Sequence, residues 1–152
     1  MEQDQGMLGG VELVWLGHID CADAYDLLRR AGAQLEMAGL VQPGYGEALV
    51  TREESYPTGL KLTAGGVAIH HADVEYARRA AIAVALPDKP VTFRAMDFSA
   101  EPIEVRAVMI LVLTDREQQV PWLARLVERM QEPEWLDHIV ASNSADDLAA
   151  LI

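Results

Sequence analysis

The sequence predicts an α/β fold in one domain: a single mixed β-sheet with helices packed on both faces. Three observations lead there. The chain has 152 residues, the size of one domain around one core. Short apolar runs of strand length are interleaved with stretches whose apolar residues recur at the helical period. The longest such run, residues 103–113, is apolar on both faces, as a central strand covered by helices on both sides must be.

Taken in order, residues 1–10 are polar and glycine-containing and are expected to be loose. Residues 11–16 run apolar and are expected to be the first strand. Asp20 suits the N-cap of a helix reaching Gly39, with Leu27, Leu28, Ala31 and Leu35 on one face. Pro43 opens a shorter helix that carries Ala48, Leu49 and Val50, then Arg52, Glu53 and Glu54. Pro57-Thr58-Gly59 marks a turn, and Gly65-Gly66 leads into a strand at Val67-Ala68-Ile69 that ends on His70-His71. A helical turn is expected between residues 73 and 79, a buried strand at 80–86 and a short strand at 90–93. The C-terminal third reads as helices. Val120, Leu123, Leu126, Val127 and Met130 share a face, with Pro121 held to the first turn. A second helix starts near Pro133, and Ser144 with Asp147 three residues on signals a third.

Composition narrows the function classes. Hydrophobic residues make up 51% and charged residues 24%, ordinary for a folded domain. The net charge of −12 repels nucleic-acid phosphates and anionic lipid, and steers a basic protein partner inward. The same charge also serves solubility alone. The one cysteine, Cys21, offers no intrachain disulfide and no CxxC pair. It is expected early in a helix, where the dipole lowers a thiol pKa, and is read as structural. The N-terminus lacks the apolar core of a signal peptide, and no apolar run approaches the length of a membrane span. The expected location is the cytoplasm.

Four histidines carry the remaining chemistry: His18, His70, His71 and His138. Adjacent residues on a strand point to opposite faces, so His70 and His71 are badly placed to share a metal. No other ligand falls at metal spacing around them, and neither a metal nor a cofactor is expected. His18 and His138 read as surface or capping side chains, and Trp15, Trp122 and Trp135 as core or helix contacts. A strand-end histidine alone is unremarkable. Here it follows Arg52 on a helix, Thr58-Gly59 in a turn, and Gly65-Gly66. Each has a use if the histidine takes a phosphoryl group. A neutral imidazole has a nitrogen free to attack phosphorus. A guanidinium fork meets the phosphoryl oxygens, a threonine hydroxyl donates to them, and glycines let backbone N–H groups approach. Positioning and electrostatics suffice for that chemistry.

The segment Arg52-Glu53-Glu54-Ser55-Tyr56-Pro57-Thr58-Gly59-Leu60, followed by Gly66-Val67-Ala68-Ile69-His70-His71-Ala72-Asp73, resembles the enzyme IIA domains of the mannitol/fructose superfamily of the phosphoenolpyruvate-dependent phosphotransferase system. The Tyr-Pro-Thr-Gly-Leu stretch is most similar to galactitol-type IIA proteins. Pro90-Val91-Thr92-Phe93, Met96 and Met109-Ile110-Leu111-Val112-Leu113 also resemble that group. The resemblance implies a three-layer α/β/α sandwich and divides the chain into a flexible N-terminus, residues 1–10, and an EIIA type-2 domain, residues 11–152. It implies that His71 is phosphorylated by the phosphocarrier protein HPr and passes the group to a cysteine of a IIB partner, with Arg52 and Thr58 holding the phosphoryl group. Glu53 either orients Arg52 through an ion pair or belongs to the solvated acidic face.

Two departures from the family pattern stand out. A proline normally precedes the active histidine, and His70 stands there instead. His71 is chosen by register, since it keeps the spacing from Gly66 and Ile69. Mannitol-type members have a second histidine early in the helix after the long strand. This chain reads Glu117-Gln118-Gln119 there, so Gln119 can donate a hydrogen bond but carries no charge. The expected function is a phosphotransferase IIA component for a galactitol-like polyol. The alternatives are a regulatory IIA-like protein and a binding module with a silent site.

Overall fold

The computed structural model describes residues 4–8 and 10–152. Its strands are β1 (Asp4–Leu8), β2 (Val11–Ile19), β3 (Gly59–Leu62), β4 (Gly65–His71), β5 (Ala81–Pro87), β6 (Val91–Arg94) and β7 (Pro102–Val112). Its α-helices are α1 (Ala24–Met37), α2 (Tyr45–Ser55), α3 (Gln119–Met130), α4 (Trp135–Ala141) and α5 (Ala145–Ala149), with 3₁₀ turns at Val74–Tyr76 and Arg116–Gln118. The strands form one mixed sheet in the order β1-β2-β5-β7-β4-β3, with β6 also paired to β7. The pairs β2–β5 and β4–β7 are parallel, and the others are antiparallel.

Alternation along the central strands builds two cores. Ala81, Ala83 and Ala85 of β5 face the core that holds α1 and α2, while Ile82, Val84 and Leu86 face the core that holds α3, α4 and α5. This is the predicted mixed sheet between helical layers. Strand β7 does the same with one change of phase. Ile103 and Val105 belong to the first core, as do Val108, Ile110 and Val112, because a bulge at Arg106 inserts one residue. The extra residue is used: Arg106 Nη1 donates to the Ala64 carbonyl and to Asp137, both at 2.8 Å. Burying each of these valine, leucine and isoleucine side chains contributes about 1.5–3 kcal/mol.

Two close approaches depend on glycine. A Cβ on Gly32 of α1 would lie 2.5 Å from the Gly46 Cα of α2, so the two helices pack backbone to backbone. A Cβ on Gly66 would lie 2.3 Å from the Glu104 carbonyl, so only glycine lets β4 enter beside β7. The Gly65-Gly66 pair therefore serves strand packing. It lies at the opposite end of β4 from His71, roughly 16 Å away at the rise of a strand, and does not cradle a phosphate.

Several expectations change. Within the stretch 1–10, read as a flexible N-terminus, residues 4–8 form β1 against β2, while residues 1–3 and 9 lie outside the described residues. The N-cap of α1 is Asp23, whose carboxylate accepts from the Asp26 amide, and not Asp20. Cys21 consequently precedes the helix, and burial with Asp26, Asp20 and Asp88 pushes its thiol pKa up. The expected turn at Pro57-Thr58-Gly59 gives way at Gly59 to an edge strand, β3, over residues 59–62, which carried no strand expectation of their own. The caps at Ser144 and the Pro121 position in α3 are as expected.

Candidate phosphoryl-acceptor site

The site lies where β4 and β7 end side by side, His71 pairing with Leu111 in parallel register. Open α/β sheets present their clefts at such carboxyl ends. His70 and His71 leave the strand on opposite faces, as the alternation requires. His71 shares its face with Val67 and Ile69, on the α3 side, and His70 shares the α2 side with Ala68.

His71 is half-buried and lines a cleft of about 180 Å³ with Arg52, Ala72, Asp73, Val74, Arg116 and Gln119. Arg52 arrives from the last turn of α2. Its Nη1 lies 3.8 Å from Asp73 and its guanidinium stacks 4.9 Å from the centre of the Tyr56 ring, one turn along the helix. Arg116 and Gln119 arrive from the turn that follows β7, where Asp115 and Gln118 form a reciprocal cap. Burial, and then the Arg52 charge, hold the His71 pKa below the ordinary 6.5, with Asp73 opposing. At neutral pH its imidazole is uncharged and keeps a nitrogen lone pair. Two guanidinium-bearing side chains and one amide thus share the cleft with a neutral imidazole and with Asp73, whose charge Arg52 offsets, a lining suited to an anionic oxygen cluster.

Behind the cleft lies a second polar cluster. His70 is wholly buried, and its Nε2 lies 2.9 Å from the Leu49 carbonyl of α2. Burial, opposed by that bond and aided by His71 and Arg52, pushes its pKa down to about 4. The ring is therefore neutral and Nε2–H donates to the carbonyl, while Nδ1 meets no hydrogen-bond partner. Glu53, 3% exposed, lies 3.6 Å from the same Nε2. It accepts from the Thr58 amide at 2.9 Å and from the Thr58 hydroxyl at 2.6 Å. Burial outweighs those two bonds and Arg94, and raises the Glu53 pKa to about 7.

The structure thus separates the residues that the sequence put together. Arg52, His71 and Gln119 meet in the cleft. Thr58 does not line it, because its hydroxyl is bonded to Glu53. Glu53 neither orients Arg52 nor faces solvent: Asp73 pairs with Arg52, and Glu53 turns inward. Arg116 was missed. Its signal was a cation three residues after the end of the longest apolar run and three before the amide already suspected at Gln119. Among the described residues, no group of three His, Cys, Asp or Glu is placed to hold a metal, and no helix is long and apolar enough to cross a membrane.

Comparison with known proteins agrees with this architecture. The galactitol-specific EIIA component of Escherichia coli K12 is 27% identical over 122 residues, covering 80% of this chain and 81% of its own. The crystal structure of IIA mannitol from Escherichia coli superposes with a TM-score of 0.69 at 22% identity, over 96% of this chain and 99% of that one. The nitrogen regulatory protein IIA-Ntr of Neisseria meningitidis superposes with a TM-score of 0.70 at 23% identity, over 90% and 91% of the two chains. A chain in the structure of the complex of enzyme IIA mannitol and phosphorylated enzyme IIB mannitol from Escherichia coli gives 0.68 at 22% identity, over 95% and 96%. The three-layer fold is theirs. The family profile described as "Phosphoenolpyruvate-dependent sugar phosphotransferase system, EIIA 2" matches residues 9–152. With nearly the whole chain so matched, this protein belongs to the EIIA 2 family of the phosphoenolpyruvate-dependent sugar phosphotransferase system.

Proposed function

We propose that the protein carries a phosphoryl group on His71, receiving it from phosphorylated HPr and passing it to a cysteine of a IIB partner during uptake of a galactitol-like polyol. The observation that carries this reading is one cleft in which a half-buried, neutral imidazole lies among Arg52, Arg116 and Gln119. In the first transfer the lone pair of an His71 ring nitrogen attacks phosphorus. The N–P bond of the donor breaks, and the donor imidazole leaves with that electron pair. Arg52 and Arg116 meet the charge on the equatorial oxygens, and Gln119 donates a further hydrogen bond. In the second transfer a IIB thiolate attacks, an S–P bond forms, and His71 leaves as a neutral imidazole. Beyond the donor imidazole and the IIB thiolate, the groups these steps call on come from this chain, and no cofactor is invoked. Thr58 acts indirectly, by holding Glu53.

The net charge of −12 supports docking of a basic donor face, the galactitol-specific relatives support a transport role, and the mannitol neighbour solved as a complex of IIA with phosphorylated IIB supports a IIB partner. Incubation with phosphoenolpyruvate, enzyme I and HPr tests the reading. One acid-labile phosphate per chain is expected at end point, retained by His70→Ala and absent from His71→Ala. No label with a competent HPr would leave a binding module with a silent site. Labelling without IIB and IIC reading frames beside this one would favour a regulatory role.

A further inference from the structure

We infer that His70 is a positioning residue for the transfer at His71: its imidazole ties α2, which carries Arg52, to β4, which carries His71, and thereby sets the spacing of guanidinium and acceptor ring. This rests on the phosphoryl-carrier reading above.

The tie is specific. Nε2 of His70 reaches the Leu49 carbonyl at 2.9 Å, and Leu49 lies three residues before Arg52 on α2. The bond therefore joins the residue next to His71 with the helical turn next to Arg52. The same α2 turn is joined to the start of β3 by the two bonds from Thr58 to Glu53. Among the described residues, the buried polar or charged side chains are Glu53, Thr58, His70 and Ser142, so three of the four sit in this cluster behind the cleft. Paired buried polar groups add little over an apolar core of the same volume, but they fix relative position because mispaired arrangements are costly. A proline in place of His70 has no group to reach Leu49. His70 supplies that hydrogen bond, and the bond runs to the helix that carries Arg52.

Rapid-quench phosphorylation by saturating phospho-HPr tests the tether, together with the NMR titration of the His71 ring. The variants are His70→Ala, His70→Asn, whose amide stops short of Leu49, and His70→Gln, whose amide nitrogen extends to the place of Nε2. His70→Ala and His70→Asn are expected to slow transfer about ten-fold or more, with KM for the donor changed less than about two-fold. In both, the His71 titration midpoint rises toward 6.5, because Arg52 no longer sits close. His70→Gln is expected within about three-fold of the wild-type rate, with the midpoint restored. A merely structural histidine would alter unfolding without moving the His71 midpoint of the folded protein. The idea is overturned if a folded His70→Asn keeps the wild-type rate and midpoint, or if His70→Gln is as slow as His70→Asn. Should His70→Ala not fold, the Asn and Gln pair decides alone. The titration needs no donor, so it tests the tether even if the wild type takes no phosphate, an outcome that would defeat the carrier reading instead.

Discussion

Two neighbouring pairs of residues in this molecule do opposite things. Arg52 and His71 face outward into a cleft, while Glu53 and His70, each one residue away in sequence, face inward behind it. The outer pair is half-exposed, and its own ion pair, Arg52 with Asp73, is long at 3.8 Å. The inner pair is buried and bonded to Thr58 and Leu49 at 2.6–2.9 Å. A strand turns successive side chains to opposite faces and a helix rotates them by about 100°, so the same two steps in sequence divide chemistry from support. The difference teaches that the outer residues should be expendable for folding and the inner ones for end-point labelling.

The largest effect that sharpens this contrast is His71→Ala. It should abolish labelling by phospho-HPr while leaving the urea midpoint equivalent to a stability change within about 0.5 kcal/mol, since the ring is half-buried and lines a cleft rather than the core. A loss of several kcal/mol would place His71 among the supports. Arg52→Ala comes next. The transfer rate should fall about a hundred-fold with stability nearly unchanged, because a partly exposed ion pair contributes about 0–1 kcal/mol. Glu53→Ala should reverse the pattern. It strips the partners from the buried Thr58 amide and hydroxyl, and costs about 2–3 kcal/mol in urea unfolding while label still accumulates at end point.

The inner pair also makes a pH prediction with two opposing signs. Glu53 has its pKa raised from 4.5 to about 7, so between those values the folded state binds more protons than the unfolded state, and stability falls as pH rises. His70 has its pKa lowered from 6.5 to about 4, so in that window the unfolded state binds more protons, and stability rises with pH. The two slopes largely cancel in the wild type between about pH 4.5 and 6.5. Urea unfolding of His70→Gln should expose the falling limb, and Glu53→Gln the rising one. Equal pH profiles for both variants would contradict the buried assignment. The smallest effect is Asp73→Asn. Loss of a charge that raises the His71 pKa should lower its NMR midpoint slightly, with little change in stability.

Much of this was legible in the sequence, for identifiable reasons. Strand β7 and helices α1 and α3 were readable because burial on fixed faces imposes a period on their apolar residues. Strand β3 was not, because it is an edge strand of four residues with a lysine in it, and β1, with glutamine and glycine, carries no periodic signal. The place of His71 at the end of β4 was readable from the apolar run that follows Gly66. The roles of Glu53 and Thr58 were not, because adjacency in a motif does not say which way a side chain turns. Those two residues satisfy each other. Arg116 was hidden by distance in sequence: the sheet order, with β4 beside β7, brings it to His71.

The central claim is that His71 takes the phosphoryl group while His70 stays buried and bonded to Leu49. The most direct measurement is ¹⁵N and ³¹P NMR of histidine-labelled protein, before and after phosphorylation by enzyme I and HPr under native conditions. The account predicts phosphorus coupling on one ring nitrogen of His71, with the His70 Nε2–H signal retained in both states. Phosphorus coupling on His70, or loss of its Nε2–H on phosphorylation, would contradict it.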